Sequence, residues 1–244
     1  MNFDLIKTNI VNVTADAIVL PANSKLKEGS GASTAIFEAA GRKKLTQAWK
    51  KIGYCRVGSA VPTPAFNLDA KYIVHAVVPR WIDGNSNEYE LLSSTYLTSL
   101  QLADVIGCES IAFPLLASGN NGYDKEIAFS IAQDSISSFE GTNLKKVFLV
   151  VYGDLITSFL SENGYKVIEI PEDLKKNQKK NERNQKAEQI AAEGKEILDQ
   201  FVQNQIRKGM DFLKDEKNQE MILKAGIAIA KKAIDSKIGK RSKD

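Results

Sequence analysis

The chain has 244 residues and a formal net charge of +3, and its 43% hydrophobic and 26% charged content is ordinary for a soluble globular protein. No run approaches the roughly 18 consecutive apolar residues that a membrane-spanning helix needs, so we expect no integral membrane segment. A single histidine and two cysteines leave a zinc site almost no ligands, and we expect neither a metal nor a cofactor.

The N-terminal segment MNFDLIKTNIVNV has neither the basic region nor the apolar core of a secretory signal. Cys55 and Cys108 lie in unrelated contexts, which favours reduced thiols over a disulfide framework. These two features predict a cytoplasmic protein.

The first half of the chain predicts strands that alternate with helices. Residues 3–13 and 15–22 are predicted strands, and the second has the continuous apolar run of a buried one. Residues 33–53 form a predicted helix with an irregularity at Gly41. Residues 59–66 and 71–79 are predicted strands joined by a turn.

The same alternation continues to residue 171. A helix is predicted over residues 90–106, a buried strand over 110–116, a helix over 125–139 and a strand over 145–152. Residues 153–171 predict one more helix and a short strand. This alternation indicates a three-layer α/β/α domain with a parallel or mixed sheet.

The C-terminal segment differs in charge and pattern. Residues 175–244 hold 18 of the 33 Lys and Arg and 11 of the 30 Asp and Glu, a net charge of +7, which leaves −4 for the rest. We therefore expect a globular domain over 1–174 and a basic tail over 175–244 that is helical or partly disordered. Amphipathic helices that pack on themselves, on the core or on another copy are the favoured interpretation of the tail. The alternative is an adaptor whose tail binds nucleic acid, an anionic membrane surface or a partner helix.

Two Gly/Ser/Asn loops carry the functional signal. Residues 16–41 and 111–128 each contain a short apolar strand, then such a loop, then a helix. Free N–H groups and the positive end of the helix dipole converge where such a helix begins, which favours an anion. Two loops of this kind at the carboxyl ends of strands predict a site that holds the two phosphates of one diphosphate.

The same segments carry a family resemblance. ADAIVLPANSKL with GSG and AIFEAAG, then GSAVPTPAFNLDAKYIVHAVVP, then FPLLASGNNGY, resembles the macrodomain family over about residues 1–152. The resemblance implies a macrodomain-like fold and ADP-ribose, free or attached to a protein, as the ligand. Partner protein and oligomeric state are not indicated.

The resemblance also implies a ligand orientation. Adenosine would lie near Asn9, Ile10 and Tyr152, the diphosphate between loops 29–33 and 118–122, and the distal ribose near Asn23 and Ser33. The expected ligand-binding residues are Asn9, Ile10, Ala22, Asn23, Gly29, Ser30, Gly31, Ala32, Ser33, Ser118, Gly119, Asn120, Asn121, Gly122, Tyr123 and Tyr152.

Three of these residues have a second interpretation. From the residues alone, Asn23 at a strand-to-loop turn is better explained as capping its own backbone, and the resemblance reverses that preference. Tyr123 either closes over the ligand or packs at the end of its loop. Tyr152 either stacks on a nucleobase or fills the end of the sheet.

Two departures bear on catalysis. The hydrolase branch of the family typically has Asn where this chain has Leu20, and Asp where it has Ser33. A serine hydroxyl cannot replace a carboxylate base. The resemblance thus predicts a reader of ADP-ribose or a weak mono-ADP-ribosyl hydrolase, with Asn23 and Ser33 as the candidate catalytic residues. His75, within a predicted strand, is expected to be structural.

Overall fold

A computed structural model describes residues 1–170, which form seven strands and five α-helices. The strands are β1 Phe3–Lys7, β2 Ala17–Ala22, β3 Ala60–Pro64, β4 Tyr72–Val77, β5 Ser110–Pro114, β6 Lys146–Val151 and β7 Val167–Glu169. The helices are α1 Ala32–Ala40, α2 Arg42–Ile52, α3 Glu88–Val105, α4 Lys125–Ser138 and α5 Asp154–Glu162.

The seven strands form one mixed sheet in the order β3-β4-β2-β5-β6-β1-β7. Strands β3 and β4 are antiparallel, and every other neighbouring pair is parallel. Because parallel neighbours point the same way, β4, β2, β5, β6 and β1 all end at one edge of the sheet. The loops that follow these five strands are therefore gathered at that edge.

The sheet separates two hydrophobic cores. Val19 of β2 packs in the core that contains Leu92 of α3 and Phe129 of α4. Its neighbour Ile18 points into the core that contains Phe37 of α1 and Trp49 of α2. This alternation along β2 follows from the two-residue period of a strand and requires helices on both faces. The predicted three-layer α/β/α class is confirmed.

Two element predictions differ from the structure. The first predicted strand ends at Lys7, and a 3-10 turn over Ile10–Asn12 replaces its second half because Asn9 caps that turn. The predicted helix over residues 33–53 is two helices. Gly41, at φ +95°, separates them and donates its N–H to the Phe37 carbonyl at 3.0 Å. That φ lies outside the helical region and is tolerated by glycine.

The predicted tail, residues 175–244, lies outside the described residues. Within residues 1–170, no helix is long and apolar enough to cross a membrane.

Candidate functional site

The first loop, residues 23–31, leaves β2 and is closed by the side chain of Asn23. The Asn23 amide nitrogen donates to the Lys27 carbonyl at 2.7 Å, and its amide oxygen accepts from the Lys27 N–H at 3.2 Å. Asn23 itself is exposed. A carboxamide has two N–H groups and two oxygen lone pairs, so one of each remains available to a ligand. The capping interpretation and the ribose-binding interpretation of Asn23 are thus compatible.

The end of this loop forms the start of α1. The Ser33 hydroxyl accepts from the Gly29 N–H at 3.0 Å, and the Thr34 hydroxyl donates to the Gly29 carbonyl at 2.8 Å. Gly31 occupies the N-cap position at φ +60°, and no side chain caps the helix. The first N–H groups of α1 consequently lack side-chain partners at an exposed loop, which is the arrangement that favours an anion.

Glu28 is the acidic side chain of this loop, and Arg42 holds it. The Arg42 guanidinium donates through Nε and Nη2 to the Glu28 carboxylate at 3.0–3.1 Å, and it also contacts Glu38 at 3.0 Å. Both oxygens of the Glu28 carboxylate thus accept hydrogen bonds from Arg42. Glu28 is therefore poorly arranged to act as a general base.

The second loop, residues 115–124, leaves β5. The Ser118 hydroxyl donates to the Leu115 carbonyl at 2.8 Å, and the Gly122 N–H donates to the Gly119 carbonyl at 3.0 Å. Gly119 and Asn120 are exposed, and a Cβ added at Gly119 would meet no heavy atom within 4 Å. The tip of this loop thus presents bare backbone to the space beside it.

The two loops contact each other across the edge of the sheet. The Asn120 amide nitrogen donates to the Ser30 hydroxyl at 2.7 Å, although the two residues are 90 positions apart. Both side chains are exposed. The predicted phosphate-binding loops therefore do lie side by side.

The segment after β4 supports the second loop. The Asn121 amide donates to the Pro79 carbonyl at 2.9 Å, and the Trp81 N–H donates to the Asn121 carbonyl at 2.8 Å. Asn121 is consequently a structural link between two loops through its side chain and its backbone.

The segment itself is held by a buried carboxylate that sequence reasoning missed. Glu88 is 1% exposed, and its two oxygens accept from the N–H groups of Ile82, Asp83, Gly84 and Ser86 at 2.6–3.0 Å. Burial alone would raise the pKa of Glu88, but these hydrogen bonds outweigh it and lower the pKa to about 2. Asn87 before α3 has φ +60°, but this conformation is visible only in the structure, so the sequence offered no direct signal for the role of Glu88.

The Tyr123 side chain packs into the hydrophobic core beneath its loop. It is 4% exposed, its hydroxyl donates to the Glu88 carbonyl at 2.7 Å, and its ring contacts Trp81 edge to face. Of the two alternatives, the structure shows packing at the loop end. A role in ligand contact through its side chain would require this packing to open.

The part of the site that is predicted to hold adenosine lies beside β6 and β1. Tyr152 follows β6 and is 74% exposed, so its ring is free to stack on a planar group. The Asn9 carboxamide oxygen accepts from the Val11 N–H at 3.3 Å, and Ile10 is buried. Asn9 thus uses part of its capacity as a hydrogen-bond acceptor within the turn.

Ala22, Ala32 and Ser33, which the sequence predicts at the other end of the site, have little exposed surface. Ala22 is buried and its carbonyl accepts from the Val78 N–H at 3.2 Å, while Ser33 is 2% exposed. Ala32 is half-buried at the start of α1.

His75 is structural, as expected. It is fully buried, accepts the Trp49 indole N–H at Nδ1 at 2.9 Å, and lies 2.8 Å from the Thr63 hydroxyl through Nε2. Burial lowers the pKa of His75 to about 3, so the imidazole is neutral. Burial likewise raises the pKa of the Cys55 thiol to about 11 and of the Cys108 thiol to about 12, which keeps both thiols protonated.

Comparisons with known proteins identify the family of this chain. A family model described as Macro domain matches residues 19–132. A macro domain-containing protein of Caldanaerobacter subterraneus is 45% identical over 154 residues, which is 62% of this chain and 88% of that protein. This chain belongs to the macrodomain family.

Named enzymes and solved structures are also similar to this chain. The O-acetyl-ADP-ribose deacetylase of Escherichia fergusonii is 41% identical over 170 residues, which is 66% of this chain and 96% of the enzyme. A glycine-to-valine mutant of the Oceanobacillus iheyensis macrodomain with ADPR matches at a TM-score of 0.60 and 29% identity, over 65% of this chain and 89% of that one. The Trypanosoma brucei macrodomain in complex with ADP-ribose matches at a TM-score of 0.59 and 25% identity, over 65% and 67%.

Proposed function

We propose that this macrodomain binds ADP-ribose, free or attached to a protein, between loops 23–31 and 115–124. The observation that carries the proposal is the Ser30–Asn120 contact, which joins two glycine-containing loops beside the uncapped start of α1. Such a site offers backbone N–H groups to a diphosphate without a Cβ in the way.

The proposed orientation follows the order of the strands in the sheet. The adenine ring stacks on exposed Tyr152 after β6, the diphosphate crosses between the loops, and the distal ribose reaches Asn23 after β2. The solved complexes of relatives with ADP-ribose and with ADP support this ligand class.

Isothermal titration of the full chain with ADP-ribose tests the proposal. We expect saturable binding of ADP-ribose, weaker binding of AMP and none of ribose 5-phosphate at the same concentration, because only ADP-ribose fills all three parts of the cleft. Absence of heat with ADP-ribose at high micromolar concentration and low salt contradicts the proposal.

A slow hydrolase is the second candidate function, and the 41% identical deacetylase favours it. The distal ribose in our orientation lies by Asn23 and Ser33, where an O-acetyl ester or a protein linkage would be attacked by water. The Ser33 hydroxyl already accepts from Gly29, and Glu28 is held by Arg42, so neither is arranged as an efficient base. We therefore propose a substrate-assisted step in which water is held between a phosphate and Asn23.

Acetate release from O-acetyl-ADP-ribose, measured beside loss of label from a mono-ADP-ribosylated protein, tests this second candidate. We expect both rates to be low under conditions in which binding is complete. Rapid turnover with either substrate would contradict our account of Ser33.

The domain boundary near residue 174 and a cytoplasmic location stay predictions. No comparison supports the alternative of an adaptor that acts through its tail. A chain that ends at residue 174 should fold and retain ADP-ribose binding, and aggregation of that chain would place the tail in the core.

A further inference from the structure

Three loops meet at the end of the cleft assigned to the distal ribose. The Val78 N–H donates to the Ala22 carbonyl at 3.2 Å, so the chain leaves β2 and β4 side by side. The Cys55 N–H donates to the Ser24 carbonyl at 3.2 Å, which brings the segment after α2 to the same place. We call six of the exposed side chains of these loops the distal rim: Lys25, Lys27, Tyr54, Arg56, Arg80 and Ile82.

The distal rim is positively charged. Four of its six residues are Lys or Arg, and none of these four belongs to an ion pair within residues 1–170. Two acids lie in the same loops: Arg42 pairs with Glu28, and the Asp83 carboxylate accepts from the Asn85 N–H and the Ser86 hydroxyl and keeps its charge, so the four cations remain in excess. A cluster of unpaired cations on a domain that is acidic overall attracts an anionic partner.

The rim also carries two of the large exposed hydrophobic side chains. Tyr54 is 66% exposed and Ile82 is 71% exposed. Ile82 belongs to the segment whose N–H groups are held by the buried Glu88 carboxylate, so its backbone is fixed before any partner binds. A preorganised segment with an exposed aliphatic side chain binds a partner at a lower entropic cost than a flexible one.

We propose that the distal rim binds the acidic polypeptide segment that surrounds the ADP-ribosylated residue of a modified protein. This inference rests on the proposed function and its orientation, because the modified residue is joined to the distal ribose and must leave the cleft at that end. The cations would contact Asp and Glu side chains that flank the modified residue, and Tyr54 and Ile82 would contact an apolar neighbour.

The mixture of charge and aliphatic surface favours a polypeptide over a nucleic acid. A single-stranded nucleic acid is held by phosphate contacts and by stacking on aromatic rings, which the cations and Tyr54 could supply, but the exposed Ile82 side chain would contribute to neither. Ile82 does suit an apolar side chain beside acidic ones.

Fluorescence anisotropy with two peptides tests the proposal on the full chain. Both peptides carry one ADP-ribose through the same hydrolysis-resistant linkage. One has Glu, Asp and Leu around the modified residue, and the other has Lys and Ser. We expect the acidic peptide to bind about tenfold more tightly than free ADP-ribose at low salt, and the basic peptide no more tightly than ADP-ribose.

Single substitutions test the cationic and the apolar residues of the distal rim separately. Arg80→Glu and Arg56→Glu should lower the affinity and the salt dependence for the acidic peptide, and should change the affinity for free ADP-ribose by less than about threefold. Ile82→Ser should lower the peptide affinity without a change in salt dependence. Lys145→Glu is the matched control, because this exposed lysine lies at the opposite edge, before β6, and should leave both ligands unaffected.

The outcomes distinguish this proposal from the one it rests on. If free ADP-ribose does not bind, the proposed function fails. If free ADP-ribose binds but the acidic and basic peptides bind equally, or the rim variants behave as Lys145→Glu does, the rim proposal is overturned. Displacement of the acidic peptide by an unmodified RNA oligonucleotide more effectively than by unmodified acidic peptide also overturns it.

Discussion

The Asn120 amide donates a 2.7 Å hydrogen bond to the Ser30 hydroxyl and so joins the loop after β2 to the loop after β5. A diphosphate that lies between these loops must pass the bridge when it enters and leaves. Because the bridge is exposed, we expect it to open at low cost and, where it forms again over a bound ligand, to slow release.

We expect Asn120→Ala and Ser30→Ala each to raise the dissociation rate of ADP-ribose by about two- to tenfold, the effect of one hydrogen bond of about 0.5–1.5 kcal/mol. Stopped-flow displacement of a fluorescent ADP-ribose analogue measures this rate. The double variant should dissociate no faster than the more affected single variant, because either change removes the same bond. Additive effects would show that the two side chains act separately.

Gly119 offers a cleaner test of the phosphate site than Gly31. Its φ is outside the left-handed region and an added Cβ has open space, so Gly119→Val should keep the melting temperature near that of the wild type and abolish ADP-ribose binding. Gly31 lies at φ +60°, so Gly31→Val should lose stability as well as binding. Thr142→Val, at the opposite edge, controls for an exposed apolar side chain away from the site, and normal ADP-ribose binding by Gly119→Val contradicts the assignment.

Ser33→Asp should raise the rate of ADP-ribose removal, by about 10²-fold if the new carboxylate acts as a general base. The buried position is able to hold an anion, because the Gly29 N–H donates to the side chain at this position and residue 33 lies in the first turn of α1. Affinity for ADP-ribose should fall, since the new charge lies close to the diphosphate. Single-turnover loss of label from a modified protein measures the rate, with Ser33→Ala as the control. Equal rates for all three proteins would exclude residue 33 from the chemistry.

Glu88→Gln should destabilise the protein and weaken ADP-ribose binding together. A glutamine has one acceptor oxygen and an NH2 group that faces N–H donors, so at least one of the four hydrogen bonds is lost. We expect urea titration to show a free energy of unfolding that is lower by about 1–3 kcal/mol. Glu90→Gln, two residues along α3, is the matched control. Unchanged binding in a folded Glu88→Gln protein would show that the segment does not position Asn121.

His75 should make stability depend on pH in a defined window. The pKa of the buried imidazole is lowered to about 3, against 6.5 for the exposed side chain, so between these values the unfolded chain binds a proton that the folded protein excludes. Stability is therefore fully present above about pH 6.5 and falls as the pH decreases, by at most about 1.4 kcal/mol per pH unit. Urea titrations between pH 7.5 and 5.5 measure the slope before carboxylates titrate.

His75→Gln removes the only histidine of the chain and is the direct comparison. The variant should be less stable at pH 7.5, because it disturbs the contacts with Trp49 and Thr63, but its stability should vary little down to pH 5.5. An identical slope in both proteins would mean that His75 takes up a proton as readily in the folded protein as in the unfolded chain.

The fold was largely predictable from the sequence because its elements have local causes. The apolar run of β2 and the alternation of strands with helices follow from the periods of the two structures, and the glycine-containing loops follow from backbone conformations that few other residues adopt. Element ends were less predictable. The separation of α1 from α2 at Gly41 and the turn capped by Asn9 depend on single hydrogen bonds that periodicity does not report.

The sequence alone determined the family, the two loops and the edge of the sheet where a ligand is expected. Only the tertiary structure decided which polar groups of those loops are already engaged. Asn23 binds Lys27, Tyr123 binds the carbonyl of Glu88, and Asn120 reaches Ser30 across the cleft. The physical reason is that a hydrogen bond is set by distance and direction in space, and residues far apart in the chain acquire both only when the strands pack side by side.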